Sequence, residues 1–169
     1  MDQDRILYRG EAFTLTGNSL RQDAAHWAEV QPDGQVKTMK TGRYSEWRIF
    51  PEAGNAPHYR GNFEVLNQAY GLALHEAGAL LNEEGTFRTG ANWPTVWTRD
   101  ISYSTHLGLG LWNVRACMNS LNARVRNGEV EQDTGTGGSW PISSDRVVWG
   151  MAAWEVYCLT GDADWLSLS

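Results

Sequence analysis

The sequence predicts a mainly α-helical protein that begins with a small strand-containing arm. From residue 63 onward, apolar residues recur every three or four positions, which is the spacing of one face of a helix. Before residue 60 the apolar residues partly alternate instead, in short stretches separated by turn-forming residues. The chain has 169 residues, of which 41% are hydrophobic and 20% charged, so it can bury a core and does not have the composition of a disordered protein.

Residues 1–60 are predicted to form the strand-rich arm or cap. Pro32-Asp33-Gly34 has the composition of a tight turn. Residues 51–62 contain two prolines and two glycines, which is typical of a linker. Three stretches have the length and partial alternation of strands: residues 11–17, 26–30 and 45–50.

Residues 63–169 are predicted to form helices connected by long loops. The stretch 145–159 is apolar almost all round, so we expect this helix to be buried on every side. Thr160-Gly161-Asp162 is expected to turn the chain into a further helix. The four helices that precede this turn are predicted over residues 63–82, 100–112, 113–126 and 145–159.

Two loops in this part of the chain follow the same pattern. Each contains glycines, ends near a Trp-Pro pair and leads into a helix that begins with aspartate, first at Asp100 and then at Asp145. The aspartates are 45 residues apart and the Trp-Pro pairs, Trp93-Pro94 and Trp140-Pro141, are 47 apart. Repeats of this size are typical of an array or a closed ring of helical hairpins, although two copies are also compatible with coincidence.

The repeated loops predict a site for sugar hydroxyls. A carboxylate in the first turn of a helix is stabilised as the anion by the helix dipole and the unpaired N–H groups, so Asp100 and Asp145 are expected to have lowered pKa values. An ionised carboxylate accepts hydrogen bonds from hydroxyls, arginine donates them, and an indole face suits the C–H face of a sugar ring. The predicted substrate-binding residues are therefore Trp97, Arg99, Asp100, Trp140, Asp145 and Arg146.

Each of these residues also has a purely structural interpretation. An aspartate at a helix start is often only a cap, and an arginine beside it is often a surface or ion-pairing residue. Trp112, Trp149 and Trp154 lie at helical spacing, which favours a place in the core. His106 lies within a predicted helix and is expected to be a core histidine with its hydrogen bonds satisfied.

Composition excludes several other functions. The net charge is −6 and the arginines are scattered, which argues against a nucleic-acid partner. Cys117 and Cys158 lie in predicted helices without the spacing of metal ligands, so we expect buried thiols, no metal and no cofactor. No stretch approaches the roughly 18 apolar residues of a membrane helix, and the first thirty residues contain no apolar segment of a signal peptide.

Three motifs resemble the six-hairpin glycosidases, whose fold is the (α/α)6 toroid. Trp97-Thr98-Arg99-Asp100 is similar to the W-[TS]-R-D that opens the first inner helix in the glucoamylase-like branch. Gly138-Ser139-Trp140-Pro141, followed by Ser144-Asp145-Arg146, is similar to the stretch before the second inner helix. Leu159-Thr160-Gly161-Asp162 resembles a turn into the next outer helix. The likeness covers residues 63–169.

The resemblance implies a partial (α/α)6 toroid of about two helical hairpins, truncated at its C-terminus. In these enzymes the Arg-Asp pair binds hydroxyls of the sugar in the −1 subsite. The catalytic acid and base lie in later hairpins, which would place them beyond Ser169, with Asp145 as the one candidate acid within the chain. The expected function is therefore that of a fragment of a glycoside hydrolase acting on terminal sugars of oligo- or polysaccharides, inactive by itself. Location stays open, because such enzymes are often exported.

Two other functions fit the same pattern. Lyases and epimerases use related helical barrels, and they would rely on a His or Tyr base, for which His106 and Tyr103 are the candidates near the predicted cleft. A non-catalytic helical-repeat interaction module would use the tryptophans as core residues.

Overall fold

The computed structural model describes residues 5–48, 57, 59–133 and 143–168. The chain divides into two compact units, residues 1–76 and residues 77–169.

The first unit is built on a six-stranded antiparallel sheet in which each strand pairs with the next along the chain. The predicted Pro-Asp-Gly turn lies between the fourth and fifth strands, with Gly34 at φ +81°, and the Asp33 side chain accepts a hydrogen bond from the amide of Gln35 at 3.1 Å. The strands are β1 (Ile6–Arg9), β2 (Thr14–Thr16), β3 (Ser19–Arg21), β4 (His26–Val30), β5 (Gln35–Lys40) and β6 (Arg43–Arg48).

A small apolar core lies on one face of this sheet. Val30 and Val36 from neighbouring strands pack with Val65 near the start of helix α1 (Glu64–Ala79). The amide of Glu64 donates to the carbonyl of Gly17 at 2.7 Å, which fixes the beginning of α1 beside the sheet. The helix therefore covers part of one sheet face, as an antiparallel sheet with a single apolar face requires.

The prediction of a mainly α fold, a partial (α/α)6 toroid after a small arm, is wrong. Of the described residues, 24% are in strands and 43% are helical, and the N-terminal region is a complete six-stranded sheet. Strands such as β2 and β3 have three residues each, too few for alternation to identify them in the sequence. The short lengths of these strands explain why the sequence indicated an arm and not a sheet.

The second unit contains the remaining helices and a short hairpin. Helix α2 (Thr98–Ser104) is followed by a π-helical segment (Thr105–Leu109), kinked at Gly108 (φ 158°, ψ −29°), and then by α3 (Gly110–Asn122). The backbone leaves helical geometry at Asn113 (φ −148°, ψ 74°), close to the boundary that the sequence predicted between two helices. The Asn113 side chain accepts a hydrogen bond from the amide of Ala116 at 3.1 Å, as an N-cap does. Helices α4 (Asp145–Thr160) and α5 (Ala163–Leu168) follow the hairpin strands β7 (Val125–Arg126) and β8 (Glu129–Val130).

Helix α4 is buried on one side only, so the prediction of burial on every side is wrong. Trp149 and Ala152 are 3% and 0% exposed and pack in the core of the second unit. On the opposite side, Val147, Met151 and Trp154 are 69%, 47% and 57% exposed. The described helices α2 and α3 pack against a single face of α4, which leaves the other apolar face open to solvent.

The hairpin begins with β7 inside the helix predicted over 113–126, which is wrong at its end because α3 stops at Asn122, and continues with β8 in the loop predicted from residue 127. Its turn is Asn127-Gly128, with φ angles of 52° and 77°. Both residues thus have the positive φ that a two-residue type I′ turn requires, and Asn-Gly is the dipeptide most typical of that turn. The Asn-Gly turn is visible in the sequence, but strands of two residues are too short to show the alternation that would identify a hairpin.

Candidate functional site

The structure brings Arg99 and Asp145 into contact. Arg99 lies in the first turn of α2 and Asp145 opens α4, and these two helices pack side by side. The guanidinium Nε donates to Asp145 Oδ1 at 3.1 Å. Residues from the two repeated loops therefore meet, as the sugar-site prediction requires.

Asp145 is fully buried and supports its neighbours. Its side chain is 0% exposed. While Oδ1 accepts from Arg99, Oδ2 accepts a hydrogen bond from the backbone amide of Asp133 at 3.0 Å. The Asp145 amide itself donates to Ser143 Oγ at 3.1 Å. A carboxylate that is enclosed in this way holds Arg99 in place and does not present an oxygen to a ligand.

Asp133 caps helix α2 from a distant part of the chain. Trp97, the residue before the helix, makes no side-chain capping bond. Asp133 Oδ2 instead accepts from the Thr98 amide at 2.9 Å and from Thr98 Oγ1 at 3.1 Å. It also pairs with Arg124 Nη2 at 3.0 Å. A helix-start amide, which has no partner within the helix, is thereby satisfied by a carboxylate 35 residues further on.

Charged residues of the hairpin surround this cap. Arg124 pairs with Glu131 as well as with Asp133, and Arg126 Nε contacts Glu131 Oε1 at 2.7 Å. The Thr98 hydroxyl also lies 2.8 Å from the backbone carbonyl of Glu131, so its one proton is shared between that carbonyl and Asp133 Oδ2. Because several charges share these contacts, the network fixes the hairpin against the start of α2 more firmly than one exposed ion pair does.

Asp100, in contrast, is exposed in the first turn of α2. The expectation of a lowered pKa is wrong for this residue. Partial burial raises the pKa of Asp100, and the nearby carboxylates of Asp133 and Asp145 raise it further. Its own backbone amide and Arg99 oppose these effects without overcoming them. Desolvation and two negative neighbours therefore raise the pKa of Asp100 more than the helix start lowers it. The sequence shows neither the desolvation nor the distant neighbours.

Two tryptophans lie just before this helix. Trp97 is half-buried, and its Nε1 donates to Thr95 Oγ1 at 3.0 Å. Trp93 is 53% exposed, and the two rings are tilted by 59° with their centroids 6.2 Å apart. Two aromatic side chains in contact with each other therefore precede Asp100 closely in sequence.

Of the other two predicted substrate-binding residues, Arg146 makes its described contacts elsewhere and Trp140 cannot be placed. Arg146 contacts the hairpin, with Nε donating to the Val130 carbonyl at 3.2 Å and Nη2 lying 3.5 Å from Glu129 Oε2. Trp140 lies outside the described residues, as does the rest of the stretch 134–142. The described site therefore depends on residues around α2.

His106 is not a core histidine. Its Nδ1 lies 3.4 Å from Glu155 Oε2, and the two side chains are 44% and 31% exposed. Tyr103, the other candidate base, is 44% exposed. A carboxylate this close to one imidazole nitrogen can orient the ring.

Asp133 and its hairpin partners were not among the site residues that the sequence indicated. The Asn-Gly turn could have indicated the hairpin that carries them, but no local pattern shows that a residue at 133 will bind the backbone at 98. Among the described residues, no cluster of three or more His, Cys, Asp or Glu could hold a metal ion. None of the helices in the described part of the chain has the length and apolar character needed to cross a membrane.

Comparison with known proteins adds no relative, since no family model, curated protein or solved structure matches the chain.

Proposed function

We propose that Arg99 and Asp100, with Trp97 and Trp93 shortly before them in sequence, are the sugar-holding part of a glycoside hydrolase site. The observation that carries this proposal is an exposed carboxylate beside an arginine that a buried aspartate holds in place. Asp100 is the exposed group, and Asp145 is the buried one. The similarity of Trp97-Thr98-Arg99-Asp100 to the glucoamylase-like motif supports the same function.

The chemistry of the group suits a polyhydroxylated ligand. A carboxylate accepts hydrogen bonds from sugar hydroxyls, and a guanidinium donates to hydroxyl oxygens. Arg99 keeps 28% of its side chain exposed while Asp145 fixes its orientation. Binding would therefore lose little side-chain entropy, which is the advantage of a preorganised site.

The proposal is tested by titrating the chain with gluco- and manno-oligosaccharides and following ligand signals by saturation-transfer NMR. The substitutions Asp100→Asn and Arg99→Lys should each weaken sugar binding about tenfold or more, because a hydrogen bond to a charged group contributes roughly 1.5–3 kcal/mol. The matched control is Asp164→Asn, which removes another exposed aspartate from the first turn of a helix, α5. Its affinity should equal that of the unmodified chain.

Affinity should also depend on pH through Asp100. Because its pKa is raised, the carboxylate takes up a proton at a higher pH than an ordinary aspartate does. Sugar binding is then full above this pKa and decreases as the pH falls through it, whereas Asp100→Asn binds weakly with no such dependence. Absence of binding for every sugar, together with variants that change stability alone, would favour the non-catalytic module instead.

The contact of His106 with Glu155 supports a second candidate, a lyase or epimerase. Such an enzyme needs a base to remove a carbon-bound proton, and an imidazole oriented by a carboxylate is suited to this step. Turnover that disappears in His106→Ala but persists in Asp100→Asn would favour this candidate over hydrolysis.

A further inference from the structure

A single residue connects the starts of both helices that form the site. Asp133 uses its side chain to bind the Thr98 amide at 2.9 Å, at the beginning of α2. It uses its backbone amide to bind Asp145 Oδ2 at 3.0 Å, at the beginning of α4. The hairpin β7–β8 that precedes Asp133 is fixed to the same place through Arg124.

The positions of Arg99 and Asp100 follow from these two bonds. Both residues lie in the first turn of α2, directly after Thr98. Arg99 binds the one Asp145 oxygen that Asp133 does not use. A shift of Asp133 would therefore move the first turn of α2 and the partner of Arg99 together.

Asp133 also acts on Asp100 through its charge. The charged groups that influence Asp100 are Asp133, Arg99 and Asp145, of which the two carboxylates disfavour a negative charge on Asp100. The Asp133 side chain is 18% exposed, and charges that are mostly buried are screened by salt much less than exposed ones. Among the described residues, one Asp133 oxygen, Oδ1, is buried and has no hydrogen-bond partner.

We propose that Asp133 is a positioning residue of the Arg99–Asp100 site: it touches no ligand, holds the first turn of α2 against the start of α4 and supplies a negative field at Asp100. Its relevance to sugar binding rests on the function proposed above. Its effect on Asp100 is a property of the protein alone and can be measured without a sugar.

The decisive variant is Asp133→Asn, which keeps an oxygen acceptor for the Thr98 amide but removes the charge. The Asp100 carboxyl is titrated by ¹³C NMR in the unmodified chain, in Asp133→Asn and in the control Glu129→Gln. Glu129 lies on the same hairpin, is 76% exposed and pairs with Arg146. We expect the pKa of Asp100 to fall in Asp133→Asn and to stay unchanged in Glu129→Gln. The pH at which sugar affinity falls should move down with it.

An Asp100 titration that is identical in Asp133→Asn and in the unmodified chain would overturn the proposal, since a merely structural cap would leave it unchanged. If Asp133→Asn does not fold, amide hydrogen exchange in the unmodified chain decides. Protection of the Thr98 amide supports the proposal, and exchange as fast as that of an exposed amide overturns it. A chain that binds no sugar would refute the proposed function, while the carboxyl titration still decides the role of Asp133.

Discussion

Replacing Asp145 by alanine is the sharpest test of how the two helix starts are held together. The substitution removes the acceptor of two donors, Arg99 Nε at 3.1 Å and the Asp133 amide at 3.0 Å. A buried donor left without an acceptor costs about 1–3 kcal/mol. Arg99 is 28% exposed and can regain water, so we assign it the lower end of that range, about 1 kcal/mol. The amide is assigned about 2 kcal/mol.

The free energy of unfolding should therefore fall by about 3 kcal/mol in Asp145→Ala. For a unit of this size, such a loss lowers Tm by on the order of 10–20 °C. Urea denaturation followed by tryptophan fluorescence measures it, because Trp149, at 3% exposure, reports on the core that contains α4. The matched control, Asp164→Ala, removes an exposed first-turn aspartate of α5 and should change stability by no more than about 0.5 kcal/mol.

A loss below about 1 kcal/mol in Asp145→Ala would refute this reasoning, since it would mean that neither donor depends on this carboxylate. The same loss in Asp164→Ala would refute it as well. In that case the first-turn charge, and not the buried contacts, would account for the effect.

Three further predictions concern the two thiols, Gly128 and Gly150. The expectation of buried thiols is wrong for Cys158, which is exposed, whereas Cys117 is buried and burial raises its pKa to about 11. A thiol reagent at pH 8 should therefore label Cys158 but not Cys117. In urea both should react, and labelling of two thiols in the folded chain would contradict the structure. Gly128→Ala should destabilise the hairpin by about 1–2 kcal/mol, because the φ of 77° at Gly128 is costly for a residue with a Cβ. Gly150→Ala should instead stabilise α4 by about 0.5–1 kcal/mol, because a Cβ at this helical position meets nothing within 4 Å. Urea denaturation of the two variants checks both signs.

Local sequence patterns were sufficient for the helices and for part of the site. The helix predicted over 145–159 is observed as Asp145–Thr160, because its apolar content and its C-terminal Gly161 are local signals. The equivalence of the two loops placed Arg99 and Asp145 in the same region, and they are in contact. The helix depends on neighbours in sequence, whereas the contact joins residues 46 apart and was indicated only by the likeness of the two loops.

Features that depend on distant neighbours were not predictable in the same way. The sequence gives no sign that the acceptor of Thr98 is Asp133. It also does not show the partial desolvation that, with the Asp133 carboxylate, raises the pKa of Asp100, so the predicted direction of the pKa shift was wrong. The exposed face of α4 was missed for a related reason. Apolar residues such as Val147 and Trp154 predict burial only if a partner helix exists to cover them.

Because the first amide of α2 is capped by the distant residue Asp133, the order of synthesis affects folding. Thr98 leaves the ribosome before Asp133, so the opening turn of this helix emerges without the acceptor that its amide uses in the finished protein. Closing a loop of 35 residues costs chain entropy that only the completed hairpin contacts recover. The region that carries Arg99 and Asp100 should therefore mature late, after the segment downstream of it has been synthesised.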